Sequence, residues 1–353
     1  MAMTREEVQN AISSLDYKVD NLRTASTLSE MRKETSALEQ DIDGFVTRLK
    51  NIRDYGYVFD RELEGQLEDF EQTWKGMKHT VAAEISRRAR ALEENFKQVD
   101  ANMRRMASYA NRPSTAETQI TRLEDRIDDL EDSVETAQDT IRSRYQPLKD
   151  DVSSVETRLT YLEWMVEELN QANFNLLQSE SLVMAARVRW YHDGKEDKKD
   201  PKGILFLSDQ RLILEVHEKE VKKKFLFVTT ESETTRKVAF ECPVDYIERT
   251  ESFQQGFLKG KDHLRIFFTA QGPYDKTQFH LLNCDNDEFC QTIRRIQSGD
   301  FLNNRTEEIS EEVLERVKNA PSECPSCGGI ISQEILRGQD NLTCEYCGYV
   351  IRL

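Results

Sequence analysis

The sequence lacks a long apolar segment. No uninterrupted apolar run approaches the roughly 18 residues that a membrane-spanning helix needs. Residues 1–7, which read MAMTREE, contain no apolar stretch of the kind that a secretory signal peptide carries. We therefore expect a cytoplasmic protein whose contact with any membrane is peripheral.

Recognisable catalytic motifs are also missing. The sequence has no Gly-rich phosphate-binding loop, no nucleophile elbow and no His-Glu-x-x-His helix. The five histidines share no spacing that would indicate a site: His79, His192, His217, His263 and His280. These absences predict that the protein is not an enzyme.

Proline and glycine are rare in the first 185 residues, which contain two prolines and four glycines. The same segment holds 24 Lys and Arg against 36 Asp and Glu, and so carries most of the net charge of −16. Its apolar residues recur at alternating steps of three and four, which predicts a coiled coil over residues 1–183. The acidic outer surface is typical of a solvated face.

The clearest part of this apolar seam lies in its second half. It consists of Ile120, Leu123, Ile127, Leu130, Val134, Ala137 and Ile141, followed by Leu148, Val152, Val155, Leu159, Leu162, Val166 and Leu169. Between the two runs the spacing becomes four and four through Tyr145, a stutter that unwinds the supercoil locally. Pro147 lies at this point and is expected to kink the helix.

Capping boxes and breakers predict three helices in this region. Thr4-x-x-Glu7 and Ser114-x-x-Glu117 each match a capping box. Turn-forming residues near positions 54–57 and 111–113 separate helices of about 4–53, 58–110 and 114–182. Short connections favour a long antiparallel bundle within one chain, although the seams equally permit a homo-oligomer through the coiled coil.

From about residue 186 the apolar period changes to two and turn residues appear. Seven strands are predicted: Val188–His192, Gly203–Ser208, Arg211–Val216, Lys224–Val228, Arg236–Phe240, Leu264–Thr269 and Thr277–Leu282. An amphipathic helix follows, beginning with the capping sequence Asp285-x-x-Glu288. Seven strands and one terminal helix predict a β-barrel domain over residues 186–300 that the helix plugs.

Residues 203–214 (GILFLSDQRLIL), residues 242–247 (CPVDYI), residues 263–268 (HLRIFF) and the final helix together resemble the pleckstrin-homology-like (PH-like) superfamily, and within it the GRAM-type subset. The resemblance covers about a third of the chain. It implies a barrel that binds acidic lipid headgroups or protein partners without catalysis.

In lipid-binding members of that superfamily, the loop between the first two strands presents basic side chains to phosphates. The corresponding loop here contains Lys195, Lys198, Lys199 and Lys202. Each lysine near an anionic membrane surface is worth about 1 kcal/mol. Four acidic residues of the same loop, which oppose this attraction, are Asp193, Glu196, Asp197 and Asp200.

The last 33 residues, 321–353, contain two Cys-x-x-Cys motifs separated by sixteen residues. The cysteines are Cys324, Cys327, Cys344 and Cys347, and a glycine follows each pair. Two intervening residues let both thiolates of a pair reach one ion, so the pattern predicts a tetrahedral zinc site. Two redox dithiols, or cysteines unrelated in function, are the alternative. Four thiolates make a closed site, so we expect one structural Zn²⁺ rather than a catalytic one.

These knuckles, Cys-Pro-x-Cys-Gly and Cys-x-Tyr-Cys-Gly, resemble the zinc-ribbon family, in which they lie on β-turns joined by short strands. The resemblance matches all four cysteines to the family's metal ligands. Six apolar residues would form its small core: Ile330, Ile331, Ile335, Leu342, Val350 and Ile351. An acidic linker helix is predicted over residues 301–320 between the barrel and the ribbon.

Zinc ribbons that bind nucleic acid need a basic surface to neutralise phosphates. Residues 322–353 contain only Arg337 and Arg352 as basic residues, against four acidic ones. A nucleic-acid-binding protein is therefore a less favoured interpretation.

The sequence predicts a multidomain protein with a long all-α bundle, a PH-like barrel with a C-terminal helix, and a small zinc ribbon. The predicted function is that of a non-catalytic scaffold or adaptor. Its coiled coil would associate with protein partners, and its barrel would dock on an anionic membrane surface or on a protein. The alternative is an adaptor that binds only proteins and no lipid.

Overall fold

The computed structural model describes residues 3–110, 112–191, 197, 199–225, 228–255 and 260–352, without the side chains of residues 113, 114 and 219–234. The chain divides into two compact units. The helical unit comprises Met1–Leu49 and Leu63–Thr160. The second unit, here called the sheet unit, comprises Lys50–Glu62 and Tyr161–Leu353.

Four long helices build most of the helical unit. They are α1 (Arg5–Ala25), α2 (Ser29–Asp54), α3 (Leu63–Met106) and α4 (Pro113–Asn170), of which the last residues of α2 and α4 belong to the sheet unit. The capping box at Thr4 is confirmed, because its side chain accepts from the Glu7 amide and the Glu7 carboxylate accepts from the Thr4 amide. None of the helices in the described ranges is both long and apolar enough to span a membrane.

The predicted single helix over residues 4–53 is wrong, because a three-residue turn separates α1 from α2. Leu28 in this turn has a positive φ of 53° and is buried, and the Thr27 hydroxyl donates to the Thr24 carbonyl at 2.7 Å. Hydroxyl groups that bond to nearby carbonyls compete with the helical ladder. Burial of Leu28 then holds a conformation that an L-residue rarely adopts.

The third predicted helix also has a wrong end, since α4 stops at Asn170 rather than near residue 182. Beyond it, the Asn173 amide donates to the Glu215 carboxylate at 2.7 Å. Tertiary bonds therefore take the backbone groups that a longer helix would have used. The helix is continuous through Pro147, where Tyr145 and Leu148 are both buried.

Ion pairs between helices establish how the helical unit is arranged. Lys18 in α1 bonds Asp128 in α4, and Glu34 in α2 pairs with Arg142 and Lys149 in α4. From the first pair to the others, the residue number rises on both partners, so α1 and α2 run parallel to α4. From the pair Arg23–Asp100 to the pair Glu39–Lys78, the residue number rises in α1 and α2 but falls in α3. Helix α3 is therefore antiparallel to α1 and α2. The apolar seam of α4 is buried within this one chain, except at Leu169, which is half-buried.

We expect Tyr145→Ala to lower the free energy of unfolding of the helical unit by about 3–5 kcal/mol. Tyr145 is fully buried at the position of the stutter, so its removal leaves a cavity. Its hydroxyl lies 3.9 Å from the Met31 sulfur, and burial raises its pKa to about 12. Urea unfolding followed by far-ultraviolet circular dichroism measures the change. Tyr145→Phe keeps the ring and should cost less than about 1 kcal/mol; an equal loss in both variants would contradict this role of the ring.

The sheet unit contains seven antiparallel strands that form one hydrogen-bonded sheet. Their bounds are β1 (Leu182–Tyr191), β2 (Lys202–Ser208), β3 (Arg211–Phe225), β4 (Val228–Pro243), β5 (Ile247–Gln255), β6 (Lys261–Phe268) and β7 (Lys276–Leu281). The order across the sheet is β4-β3-β2-β1-β7-β6-β5. Helix α5 (Asn286–Gln297) follows β7 and buries Phe289 and Ile293. Its predicted cap is confirmed, because the Asp285 carboxylate accepts from the Glu288 amide.

The predicted closed barrel is corrected in one respect: the sheet is open, with β4 and β5 as its two edges. Two strands also differ from the prediction. The predicted strand Lys224–Val228 is not a separate strand, because β3 ends at Phe225, β4 begins at Val228 and these two residues pair; residues 226 and 227 lie outside the described residues. Strand β5 was not predicted. Among the described residues, seven sheet strands followed by a helix agree in number with the predicted elements of this domain.

The C-terminal part of the sheet unit consists of short elements. Helix α6 (Glu311–Lys318) is amphipathic, begins at the Ser310 cap and falls within the predicted linker helix. The strands β8 (Asn341–Thr343) and β9 (Val350–Arg352) pair antiparallel. We call residues 321–352 the four-cysteine module.

Candidate metal centre and docking surfaces

The two Cys-x-x-Cys knuckles adopt the same backbone conformation. In each, the amide of the following glycine donates to the carbonyl of the first cysteine at 2.8 Å, from Gly328 to Cys324 and from Gly348 to Cys344. Both glycines have a positive φ, 72° and 74°, which costs glycine little and other residues more. The glycine behind each pair therefore permits the turn that directs both thiols to one side.

The four sulfurs converge on a single centre. All four Sγ atoms lie within 4.8 Å of one another, and the Cys324–Cys347 and Cys327–Cys344 Sγ distances are both 3.7 Å. A tetrahedral ion with metal–sulfur bonds of about 2.3 Å separates its sulfurs by about 3.8 Å. The residues present therefore fit one metal ion with four thiolate ligands. Within the described ranges, no other cluster of three or more such side chains is placed to hold a metal.

The knuckle backbone also favours the ionised form of a ligand. Desolvation opposes ionisation of the Cys324 thiol, but the amides of Cys327 and Ser326 point at its sulfur and lower its pKa to about 7. A cysteine must be deprotonated to bind a metal. The turn thus prepares Cys324 for that role.

The core of the four-cysteine module is very small. Its buried residues are Cys324, Ile335, Leu342, Cys344 and Ile351, with Ile331 partly buried against them. The prediction that Ile330 and Val350 belong to this core is wrong, because they are 70% and 55% exposed. Alternate residues of β9 point to opposite faces, so burial of Ile351 leaves Val350 outside.

The module is anchored to the segment that follows α4. Leu336 forms a β-bridge with Leu177, the Gln178 amide donates to the Ile335 carbonyl at 2.8 Å, and the Arg337 amide donates to the Leu176 carbonyl at 2.8 Å. The sequence carried no signal for this contact, because its partners are far apart along the chain. Residues 171–181, the link between α4 and β1, thus contact the four-cysteine module.

A partly buried cluster of charged and hydroxyl side chains contacts the same link, and we call it the joint cluster. Its members are Glu180, Ser208, Asp209, Arg211, Arg305 and Arg337. Glu180 is fully buried, and the Arg211 guanidinium donates to its two oxygens at 2.6 to 3.2 Å. Arg211 also donates to Glu241 at 2.7 Å and to the Asn175 carbonyl at 2.9 Å. One guanidinium thus connects two strands of the sheet to the link.

The remaining members join the four-cysteine module to this cluster. The Arg337 guanidinium donates to the Glu180 carbonyl and to the Ser181 hydroxyl, and burial lowers the pKa of Arg337. Arg305 donates to Asp209 at 2.6 Å. Burial raises the pKa of Asp209 to about 6, although the Ser181 amide and Arg305 oppose the rise. The module, the link and the sheet therefore share one network of charged groups, in which Glu180 and Arg211 are buried.

Two of the four lysines predicted to bind a membrane surface can be located. Lys199 and Lys202 are exposed, whereas Lys195 and Lys198 lie outside the described residues. The acidic neighbours of Lys199 are engaged by their own turn: Asp197 accepts from the Lys199 amide at 2.9 Å, and Asp200 accepts from the Asp197 amide at 2.6 Å. Lys202 begins β2 and lies opposite Arg189 of β1, which adds a third positive charge nearby.

No protein-family model matches the sequence, and no curated protein matches it. One similar solved structure is the Vps36 N-terminal PH domain, at 17% identity and a TM-score of 0.23, covering 36% of this chain and 94% of that chain. Another is the complex of the PDZ-RhoGEF DH/PH domains with GTP-gamma-S activated RhoA. It shows 14% identity and a TM-score of 0.21, over 83% of this chain and 93% of that chain. At these values neither structure assigns the chain to a family.

Proposed function

We propose that the protein is a non-catalytic scaffold or adaptor. The observation that carries this proposal is the closed four-cysteine cluster, whose donors occupy every position of a tetrahedral ion and leave none for water or substrate. A metal held in this way stabilises a fold. In this proposal the long helices associate with protein partners, and the PH-like sheet docks on a membrane surface or on a protein.

The proposed metal is a single Zn²⁺ held in a zinc ribbon. Four sulfur donors at tetrahedral spacing suit zinc, which takes this ligand set in structural sites. The redox alternative is less well supported by the pairing of the sulfurs. Both 3.7 Å contacts join cysteines of different knuckles, whereas a redox dithiol would pair the two cysteines of one Cys-x-x-Cys motif.

The proposed docking surface is the lysine-bearing loop between β1 and β2. Two observations support an anionic partner: the described lysines are exposed, and Arg189 of β1 lies opposite Lys202. An adaptor that binds only proteins through this surface remains the second candidate. The acidic balance of the helical unit and of the four-cysteine module favours protein partners over nucleic acid for the rest of the chain.

We expect the full chain to co-sediment with vesicles containing anionic lipid at low salt, and Lys199→Glu/Lys202→Glu to weaken this binding by at least about 30-fold. The reason is that each reversed lysine loses an attraction of about 1 kcal/mol and gains a repulsion. Extending the variant to Lys195 and Lys198 should abolish binding.

Lys237→Glu/Lys318→Glu is a matched control, because both lysines are exposed in the same unit and the charge change is identical. This control should bind almost as well as the unmodified chain. If the unmodified chain stays in the supernatant at low salt, the lipid proposal is wrong and the protein-only adaptor takes its place.

A further inference from the structure

The helical unit is acidic, yet one end of the groove between α3 and α4 collects arginines. Arg122 and Arg126 lie four residues apart and so share one face of α4, and Arg105 lies near the end of the antiparallel α3. The three side chains line a cavity of about 350 Å³. We call this the arginine cavity; it lies wholly within the helical unit.

None of these three arginines forms an ion pair with any residue in the described part of the chain. Arg104, the neighbour of Arg105, behaves differently and bonds Asp100 at 2.7 Å. Asp125 is the single carboxylate among the lining residues, so the lining carries a formal charge of +2. Three guanidinium groups that line one cavity with a single carboxylate leave an excess of positive charge there, and a bound anion would balance it.

The remaining walls suit a small polar ligand. Met106 and Leu123 are buried and form the floor, while Tyr109 and Gln119 are half-buried and offer a hydroxyl and an amide. The volume is enough for a diphosphate or an inositol phosphate, at the small end of the range for ligand sites. Because guanidinium is planar and always charged, it bonds two phosphate oxygens at once.

We propose that the arginine cavity binds a phosphate-bearing anion, either free in solution or as a lipid headgroup. Arg105, Arg122 and Arg126 supply the charge and the paired donors. This site is separate from the lysine loop and does not depend on the function proposed above, since it lies in the other unit.

Calorimetric titration of the full chain with pyrophosphate at low ionic strength tests the proposal. We expect one site that weakens as salt rises, and a loss of affinity of at least about tenfold in Arg122→Gln/Arg126→Gln. Both side chains are exposed, so the double variant should fold, and its circular dichroism spectrum checks this. Arg90→Gln is the control, because Arg90 is an exposed arginine of α3 outside the cavity.

Absence of pyrophosphate binding would overturn the proposal, as would equal binding by the double variant and the control. A second arm separates the two sources of phosphate. If the unmodified chain co-sediments with vesicles containing phosphatidylinositol bisphosphate and the double variant does not, the bound phosphate belongs to a lipid headgroup. Pyrophosphate binding without vesicle binding would support a free anion.

Discussion

Replacing Arg211 with methionine should lower the free energy of unfolding of the sheet unit by about 3–5 kcal/mol, because it leaves a buried charge without its partner. Glu180 is fully buried, and the Arg211 side chain is only 8% exposed. In addition to its bonds with the guanidinium, Glu180 accepts from the Ser208 hydroxyl and the Leu177 amide. These two donors do not replace a positive charge, so the carboxylate would have to be protonated or exposed to water.

Tryptophan fluorescence during urea unfolding measures this loss in a Trp74→Phe background. Trp74 is in the helical unit, so the remaining Trp164 and Trp190 report on the sheet unit alone. Arg249→Met is the matched control. Arg249 pairs with Glu251 on the surface, where both side chains are more than a third exposed, and its removal should cost less than about 1 kcal/mol. Equal losses from Arg211 and Arg249 would show that the joint cluster contributes little.

Replacing Cys344 with serine should unfold the four-cysteine module and also loosen the link between α4 and β1. Among its described residues the module buries five, two of which are cysteines of the cluster, so its core is too small to fold without the proposed ion. The bonds of Gln178 and Arg337 across the link depend on residues 335–337 keeping their place. Hydrogen–deuterium exchange of the full chain should therefore speed up in residues 322–352 and in residues 176–181.

Cys284→Ser is the control for this experiment, because Cys284 lies between β7 and α5, outside the cluster. It should leave exchange in both segments unchanged. Protected amides in residues 322–352 of Cys344→Ser would contradict a metal-dependent fold. Loss of protection in the module alone, with residues 176–181 unchanged, would contradict the coupling to the link.

Features that depend on local spacing could be predicted from the sequence. The turn within each Cys-x-x-Cys pair follows from the two intervening residues and the glycine behind them. The cap at Thr4 follows from the threonine hydroxyl and a glutamate three positions later, and the cap at Asp285 follows from the aspartate side chain. The seam of α4 is equally local, because the period of a helix places its apolar residues on one face.

Other features gave no local signal. Strand β5 reads IERTESFQQ, which is mostly polar and shows no alternation of apolar and polar residues. Only its first residue is buried. The turn between α1 and α2 contains neither proline nor glycine. It depends on the burial of Leu28, which is a tertiary property.

The joint cluster beside the four-cysteine module also gave no local signal in the sequence. Glu180, Arg211 and Arg337 carry ordinary surface-type side chains, and nothing in the sequence indicates that they meet. Their contact requires the fold of the sheet and the anchoring of the four-cysteine module on the link. Long-range pairs of this kind are beyond what residue spacing can predict.

The zinc content of the full chain, purified without added metal, tests the central claim most directly. Elemental analysis by mass spectrometry should find about one zinc ion per chain, and none in Cys324→Ser/Cys344→Ser. Substantially less than one zinc ion per unmodified chain, or the same content in the double variant, would contradict the structural zinc site on which the proposed adaptor depends.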